Sequence, residues 1–377
     1  MNSKICDLLG IEFPLVAFSH CKDVVAQVSK AGGMGVLGAV GMTPEMLEND
    51  LKWIDENVNG MPYGVDVLIP NKFEGKGEGL NPEDWANMIP QEYRDFRADV
   101  LNKYKLNGES LREQTTQKSG FGKNLGEDGA QKLLDIAFSH PIKLIANALG
   151  VPPKWMLEMG KKNNVPVAAL VGAKEHAIRQ VQAGVDLLVV SGTEGGGHVG
   201  NVSGLVLVPE IHKAIQPISD IPILAAGGIA TGHQMAGVMA MGASGVWCAS
   251  VFLPTSEAET SPTVKEKMIN ATSSQTVRSR SRTGKHSRQL RSGWTDAWES
   301  KDAPEPLPMP LQTMVGEPAL DIIDKAAENG HQGAKELATY WVGQGIGLVD
   351  ETISAGQTVQ KFKEEFLDAL DRMQSLI

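Results

Sequence analysis

Cysteine is scarce: Cys6, Cys21 and Cys248 are the three in 377 residues, and no two form a CxxC pair. The spacing indicates neither a zinc site nor a disulfide framework, and it suits a reducing cytosol. Long apolar runs are missing, since none reaches the roughly 18–20 residues that a membrane span needs. The opening MNSKICDLLGIEFPLV has no sustained apolar core and no small-residue cleavage site, so it does not read as a secretory signal. Positive charge is in deficit, with 35 Lys and Arg against 45 Asp and Glu and a net charge of −10. That balance argues against nucleic acid or an anionic membrane surface as a partner. The G-x-G-x-x-G spacing occurs at 33–38, inside an apolar run, and at 195–200, in GGGHVG, and neither is read as a dinucleotide loop; barrel reductases bind nicotinamide without one. No repeat recurs at a 20–50-residue period beyond a strand–helix alternation.

Glycine is abundant, at 41 residues, which points to tight turns or close backbone approach to a ligand. Hydrophobic residues make up 42% and charged residues 21%, enough for a large core. Short apolar runs alternate with helical patterns. Eight of them read as strands: 14–18, 33–40, 63–69, 142–149, 166–172, 186–192, 222–228 and 245–253. Most of them are continuous rather than alternating, as parallel strands buried on both faces are. Thr43 and Pro44 read as the N-cap and first-turn proline of a helix, and another helix is expected near 209–216. The pattern predicts an α/β protein, a (β/α)8 TIM barrel, over a doubly wound sheet. The barrel domain spans 1–253, with a polar insertion at 71–130 after strand three. A mainly helical insertion at 254–345 follows strand eight, and 346–377 supplies the last barrel helix. That helix carries a stripe of Phe362, Phe366, Leu370, Met373 and Ile377.

In such a barrel the site lies where the C-terminal strand ends converge. Those ends carry Ala17, Phe18, Ser19 and His20; Asp66; Asn147 and Ala148; Ser191 to Gly200; Gly227 and Gly228; and Trp247 to Ser250. Gly227 and Gly228 at the end of strand seven, before a helix N-terminus, turn N–H groups toward an anion, and Ala249 and Ser250 end the next strand, so a phosphate is expected there. The run SGTEGGGHVG leaves strand six at the same mouth. Its glycines permit positive φ, and an imidazole such as that of His198 ordinarily titrates near neutrality, which suits proton transfer. Glu194 either orients that ring or is plain surface. Lys143 lies early in strand four, at the wrong end. Asn147 faces either the mouth or the helix layer. The basic run with Arg278, Arg280, Arg282, Lys285, Arg288 and Arg291 reads as a solvated helix face, or as a contact for a phosphorylated substrate.

Taken together, EGGGHVG after DLLVVSGT, then PILAAGGIATG, then GASGVWCASVF resembles the nitronate monooxygenase family, formerly the 2-nitropropane dioxygenases. The opening IEFPLVAFSH and VSKAGGMGVLGAVGMTPEML match the family's N-terminal pattern, and SGWTDAWES and YWVGQGIGLV resemble later segments. The resemblance is less clear over 71–135, and the family's flavin-dependent enoyl-ACP reductase relatives share the glycine–histidine loop.

The resemblance implies an FMN-dependent enzyme that oxidises alkyl nitronates or nitroalkanes with O2, in the cytoplasm, as a monomer or homodimer. It places the FMN phosphate on Gly227, Gly228, Ala249 and Ser250. The ring would lie near Ala17, Phe18, Asp66, Ser191, Gly196 and Gly197, with Trp247 and Cys248 adjoining. The family's active-site histidine falls on His198, which would act either as general base toward a nitroalkane or as anchor for a nitronate. His20 and Asn147 are further substrate candidates. This chain departs from the pattern at Ala148, where some members have histidine, at Ala249–Ser250, where many have Gly-Thr, and at Asp66, where many have Asn. The alternatives are an FMN-dependent NAD(P)H reductase of the enoyl-ACP reductase type and an FMN-binding protein without catalysis.

Overall fold

The computed structural model describes residues 1–69, 82–111 and 127–376. Eight parallel strands close into a barrel: β1 (Leu15–Ser19), β2 (Met34–Gly38), β3 (Tyr63–Val67), β4 (Leu144–Asn147), β5 (Val167–Val171), β6 (Leu187–Ser191), β8 (Ile223–Ala226) and β9 (Gly245–Cys248). A two-residue strand, β7 (Gly197–His198), lies outside the ring. Leu15 to Ala17 pair with Val246 to Cys248, which joins the last strand to the first. Strand side chains alternate between two apolar environments. Val16, Val36, Leu144, Val189, Leu224 and Trp247 fill the interior. Ala17, Val65, Ile145, Val190, Ala225 and Cys248 pack outward against the helices. Each fully buried Val or Leu contributes roughly 1.5–3 kcal/mol, so two-sided burial selects the continuous apolar runs seen in the sequence.

The helices between strands start where local chemistry satisfies their free N–H groups. Thr43 Oγ1 accepts from Met46 N at 3.2 Å, ahead of Pro44, as the sequence predicts. The helix expected near 209–216 instead spans Gly204–Ile215, with Pro209 inside it. It starts earlier because the Glu194 carboxylate, ten residues upstream, accepts from Gly204 N at 3.1 and 3.0 Å. The final helix, Ala355–Gln374, packs on the helix Gly232–Ala240 and buries Val359, Phe362, Phe366 and Ala369. Leu370 and Met373 of the expected stripe stand exposed, because the buried face turns through Ala369 instead; Ile377 lies outside the described residues.

The two insertions share one second core. Tyr93, Leu101 and Leu111, from the stretch after β3, pack with Trp294, Val315 and Leu320, from the stretch after β9. Residues 70–81 and 112–126 of the first insertion lie outside the described residues. Buried Arg97 ties the two stretches together: Nη1 donates to the Met314 and Val315 carbonyls at 3.3 and 3.2 Å, and Nη2 to the Leu111 carbonyl. Beside four helices the later stretch holds a hairpin, β10 (Thr276–Ser279) and β11 (Ser287–Leu290), paired antiparallel. The basic run is therefore this hairpin and not a helix face. Ser279, Ser281, Ser287 and Gln289 are buried, and the backbone is committed to cross-strand pairing.

A candidate active site at the barrel mouth

The glycine run after β6 is not a loose loop. Gly197 and His198 form β7 and add a third strand to the hairpin, with His198 opposite Ser287 and Gly197 opposite Arg288. Two arginines of the hairpin hold the run by its carbonyls. Arg288 Nε and Nη2 donate to the Thr193 carbonyl at 3.2 and 3.0 Å, and its Nη1 reaches Thr276. Arg278 donates to the Val199 carbonyl at 3.3 Å and to Asn201 Oδ1 at 2.7 Å. On the other side the run meets residues 342–345. A Cβ on Gly196 would collide with the Val342–Gly343 backbone, and one on Gly345 with the Gly228 carbonyl oxygen. The glycines are there because backbone lies directly against backbone at these points. Only Gly197, with φ +73°, has open space where a Cβ would stand.

The turn after β8 faces the same junction. Gly227 and Gly228 have φ +95° and +72°, conformations that other residues rarely adopt. Gly343 N donates to Ser250 Oγ at 2.8 Å, and Gln344 N to the Glu194 carbonyl at 2.8 Å, which draws the ends of β6, β8 and β9 to the 342–345 segment. Among the described residues, the N–H groups of Gly228, Ser250 and Gly345 have no acceptor. These donors sit on three segments that the contacts above bring to one junction, an arrangement suited to cradle an anion. The sequence pointed to Gly228 and Ser250. Gly343 and Gly345 were missed as site residues, although the GQGIG spacing was visible.

His198 is exposed on β7, although neighbouring protein keeps part of the water from its ring. That crowding pulls its pKa down to about 4, and the Lys285 ammonium adds to the fall, so the ring is neutral at ordinary pH. Its Nε2 lies 2.7 Å from Thr283 Oγ1, a partner that the sequence did not reveal. The Thr283 hydroxyl has one proton and two acceptors in reach, His198 Nε2 and the Lys285 carbonyl at 3.3 Å. That proton goes to one or the other, and where it goes to His198 the ring's own donor is Nδ1–H.

The other anticipated residues divide by the pleat. Phe18, Asp66, Ser191 and Trp247 share the inward side of their strands with the interior core. The Phe18 and Trp247 rings lie 6.2 Å apart and 25° from parallel, and His20 meets Phe18 edge-on. The Ala17 and Cys248 side chains face the helix layer, so only their backbone borders the mouth, and burial pushes the Cys248 thiol pKa up. Asn147 also faces outward. Its Oδ1 accepts from Ile69 N at 2.9 Å and its Nδ2 donates to the Leu149 and Gly150 carbonyls, so it ties two strand ends together. His20 Nδ1 lies 3.1 Å from the Gly38 carbonyl, so the ring carries its proton there; burial lowers its pKa. Glu194 neither orients His198 nor lies idle, since its carboxylate holds the helix start at Gly204. Lys143 precedes β4, away from the mouth.

The surface hollow of about 260 Å³ lined by Lys4, His212, Asp220 and Gly242 is at the opposite, N-terminal end of the barrel and brings together none of these groups.

The chain matches the family described as nitronate monooxygenase over residues 2–365. It is 49% identical over its whole length to Rv1533 of Mycobacterium tuberculosis, provisionally named a monooxygenase and covered in full. It is 24% identical to a Staphylococcus saprophyticus protein provisionally named nitronate monooxygenase, over 99% of each chain. Among solved structures, the nitroalkane oxidase from Streptomyces ansochromogenes superposes with a TM-score of 0.78 at 22% identity, over 98% of this chain and 99% of that one. FabK from Thermotoga maritima does so at 0.71 and 22%, over the full length of both, and likenesses this distant establish the fold. A match that runs through both barrel and cap, and takes in every segment meeting at the mouth, has one consequence: the chain belongs to the nitronate monooxygenase family.

Proposed function

We propose that the protein is an FMN-dependent nitronate monooxygenase, and the observation that carries this reading is the union of the cradle with His198. The residues present fit the cofactor. The free N–H groups of Gly228, Ser250 and Gly345 would hold the phosphate, and the flat Phe18–Trp247 layer with inward Asp66 and Ser191 would border the ring. When bound, flavin supplies a one-electron acceptor for the substrate and a donor to O2.

The chain's own residues then favour a substrate that arrives as the anion. A base with a pKa of about 4 is a weak proton acceptor at neutral pH, and Brønsted behaviour favours a pKa near the working pH. The neutral ring, with Nε2 fixed by Thr283, presents one N–H to a nitronate oxygen. Exposed Lys285, the cation already felt at His198, adds attraction for negative charge. Of the two roles open to His198, holding the nitronate fits this geometry better than deprotonating a nitroalkane.

The test is anaerobic flavin reduction, read as bleaching of the visible band, with ethyl nitronate and separately with NADH and NADPH. Bleaching by nitronate and not by the nicotinamides is expected. The reverse pattern makes the protein a reductase, and no bleaching by any of them makes it a binding protein. His198→Ala should retain the yellow cofactor and lose at least about tenfold in kcat/KM for the nitronate, equivalent to about 1.4 kcal/mol. Unchanged turnover would refute the assigned role.

A further inference from the structure

Asp66 is the last inward-facing residue of β3, and it is 5% exposed. Its Oδ1 is fully buried without a hydrogen-bond partner among the described residues. The residues paired with it across the barrel sheet are Gly38 on β2 and Ala146 on β4, and neither brings a donor side chain. The titratable group nearest by connection is His20, whose Nδ1–H is committed to the carbonyl of that same Gly38 and whose pKa desolvation lowers. Phe18, Ser191 and Trp247 complete the layer without charge. No charged group offsets an ionised carboxylate here: burial raises the Asp66 pKa well above the ordinary range, and no described neighbour counters it. Protonated, the group is a carboxylic acid, with one O–H donor and a carbonyl acceptor. Within the described chain Oδ1 has nothing to bind, and a buried polar atom without a partner is costly.

We infer that Asp66 is a neutral acid whose O–H donates to the ring of the bound flavin, so that this protein holds its cofactor tightly while Asp66 is protonated and weakly once it ionises. The inference rests on the flavin reading above and adds a proton to it. Asparagine would present an N–H donor at every pH, so aspartate here makes cofactor retention pH-sensitive.

The experiment is titration of the apoprotein with FMN, followed by quenching of flavin fluorescence, between pH 6 and 9. For the wild type, Kd should climb by about tenfold per pH unit above an inflection, as linkage to one proton requires. Asp66→Asn should show no such climb and bind more tightly than wild type at pH 9. The ionisation of the FMN phosphate acts on both proteins equally and drops out of the comparison. Melting of the apoprotein gives a second readout. A carboxyl whose pKa is raised by folding stabilises the fold at low pH and loses that contribution as pH rises through the raised value. The wild-type melting temperature should therefore fall between pH 6 and 9 more steeply than that of Asp66→Asn. Parallel Kd and melting profiles in the two proteins overturn the proposal. FMN binding that is independent of pH in the wild type overturns it while leaving the flavin reading intact. Failure of both proteins to bind FMN at any pH removes the flavin reading and the proposal with it.

Discussion

The barrel and the cap solve the problem of holding together in different ways. The barrel interior is a stack of apolar side chains, with Val16, Leu144, Leu187, Val189 and Leu224 wholly buried. The cap has an apolar core too, but buried polar groups fasten it. Arg97 bridges its two halves, and Gln312 Nε2 donates to the Ser281 carbonyl. Arg282 reaches Glu317 and stacks over the Trp341 ring at 4.1 Å. Arg288 spans the hairpin and the glycine run. Apolar packing is nondirectional and tolerates approximate fit, whereas a guanidinium on carbonyls fixes position and angle. The barrel therefore supplies stability, and the cap supplies the placement of His198.

The largest departure should come where the two regions touch through bare backbone. Gly345→Ala drives a methyl into the Gly228 carbonyl, and neither backbone can swing aside. Apoprotein of this variant should bind FMN at least about a hundredfold more weakly, near 3 kcal/mol, in a fluorescence titration. An unchanged Kd would mean that the 342–345 segment does not shape the cradle.

A crossed pair tests the division of labour. Leu224→Ala opens a cavity in the barrel and should cost about 2–5 kcal/mol by denaturant unfolding, while turnover per folded molecule stays near wild type. Arg288→Ala should cost less stability, about 1–3 kcal/mol, from carbonyls left without donors. Its turnover should nevertheless drop by tenfold or more, because the His198 strand loses its clamp. If both variants lost stability and activity in the same proportion, the distinction between scaffold and positioning would be void.

The smallest effect concerns a single proton. Thr283→Val removes the partner of His198 Nε2 and should raise KM for the nitronate severalfold with little change in FMN affinity. With a His198 pKa near 4, wild-type kcat/KM should show no histidine transition between pH 5.5 and 7.5. A wave centred near 6.5 that disappears in His198→Ala would show the ring to be far better solvated than its surroundings suggest.

Much of the barrel was open to reading from the chain. Strands buried on both faces leave an unmistakable run of Val, Leu and Ile, and Thr43–Pro44 announces a helix by local chemistry alone. The cap was harder. Arginine and serine alternating over 278–291 read as solvated because charge is normally outside, and only partners distant in sequence make Arg282 and Arg288 buried residues. Asn147 shows the same limit within the barrel: the pleat turned it outward onto Ile69, Leu149 and Gly150. Glu194 was undecidable because its partner, the Gly204 N–H at a helix start, lies ten residues further on.

By itself, then, the sequence determined which segments are strands, that they are parallel and enclosed, and where glycine must let the chain pass closely. These follow from short-range sterics and from transfer of apolar surface out of water, both of which act on local pattern. Tertiary structure alone decided what the close passages press against, which hairpin grips the glycine run, and which nitrogen of His198 is free. It also decided that Asp66 Oδ1 lies where no donor among the described residues answers it. Hydrogen bonds and burial depend on groups brought together from far along the chain, so no stretch of residues encodes them alone.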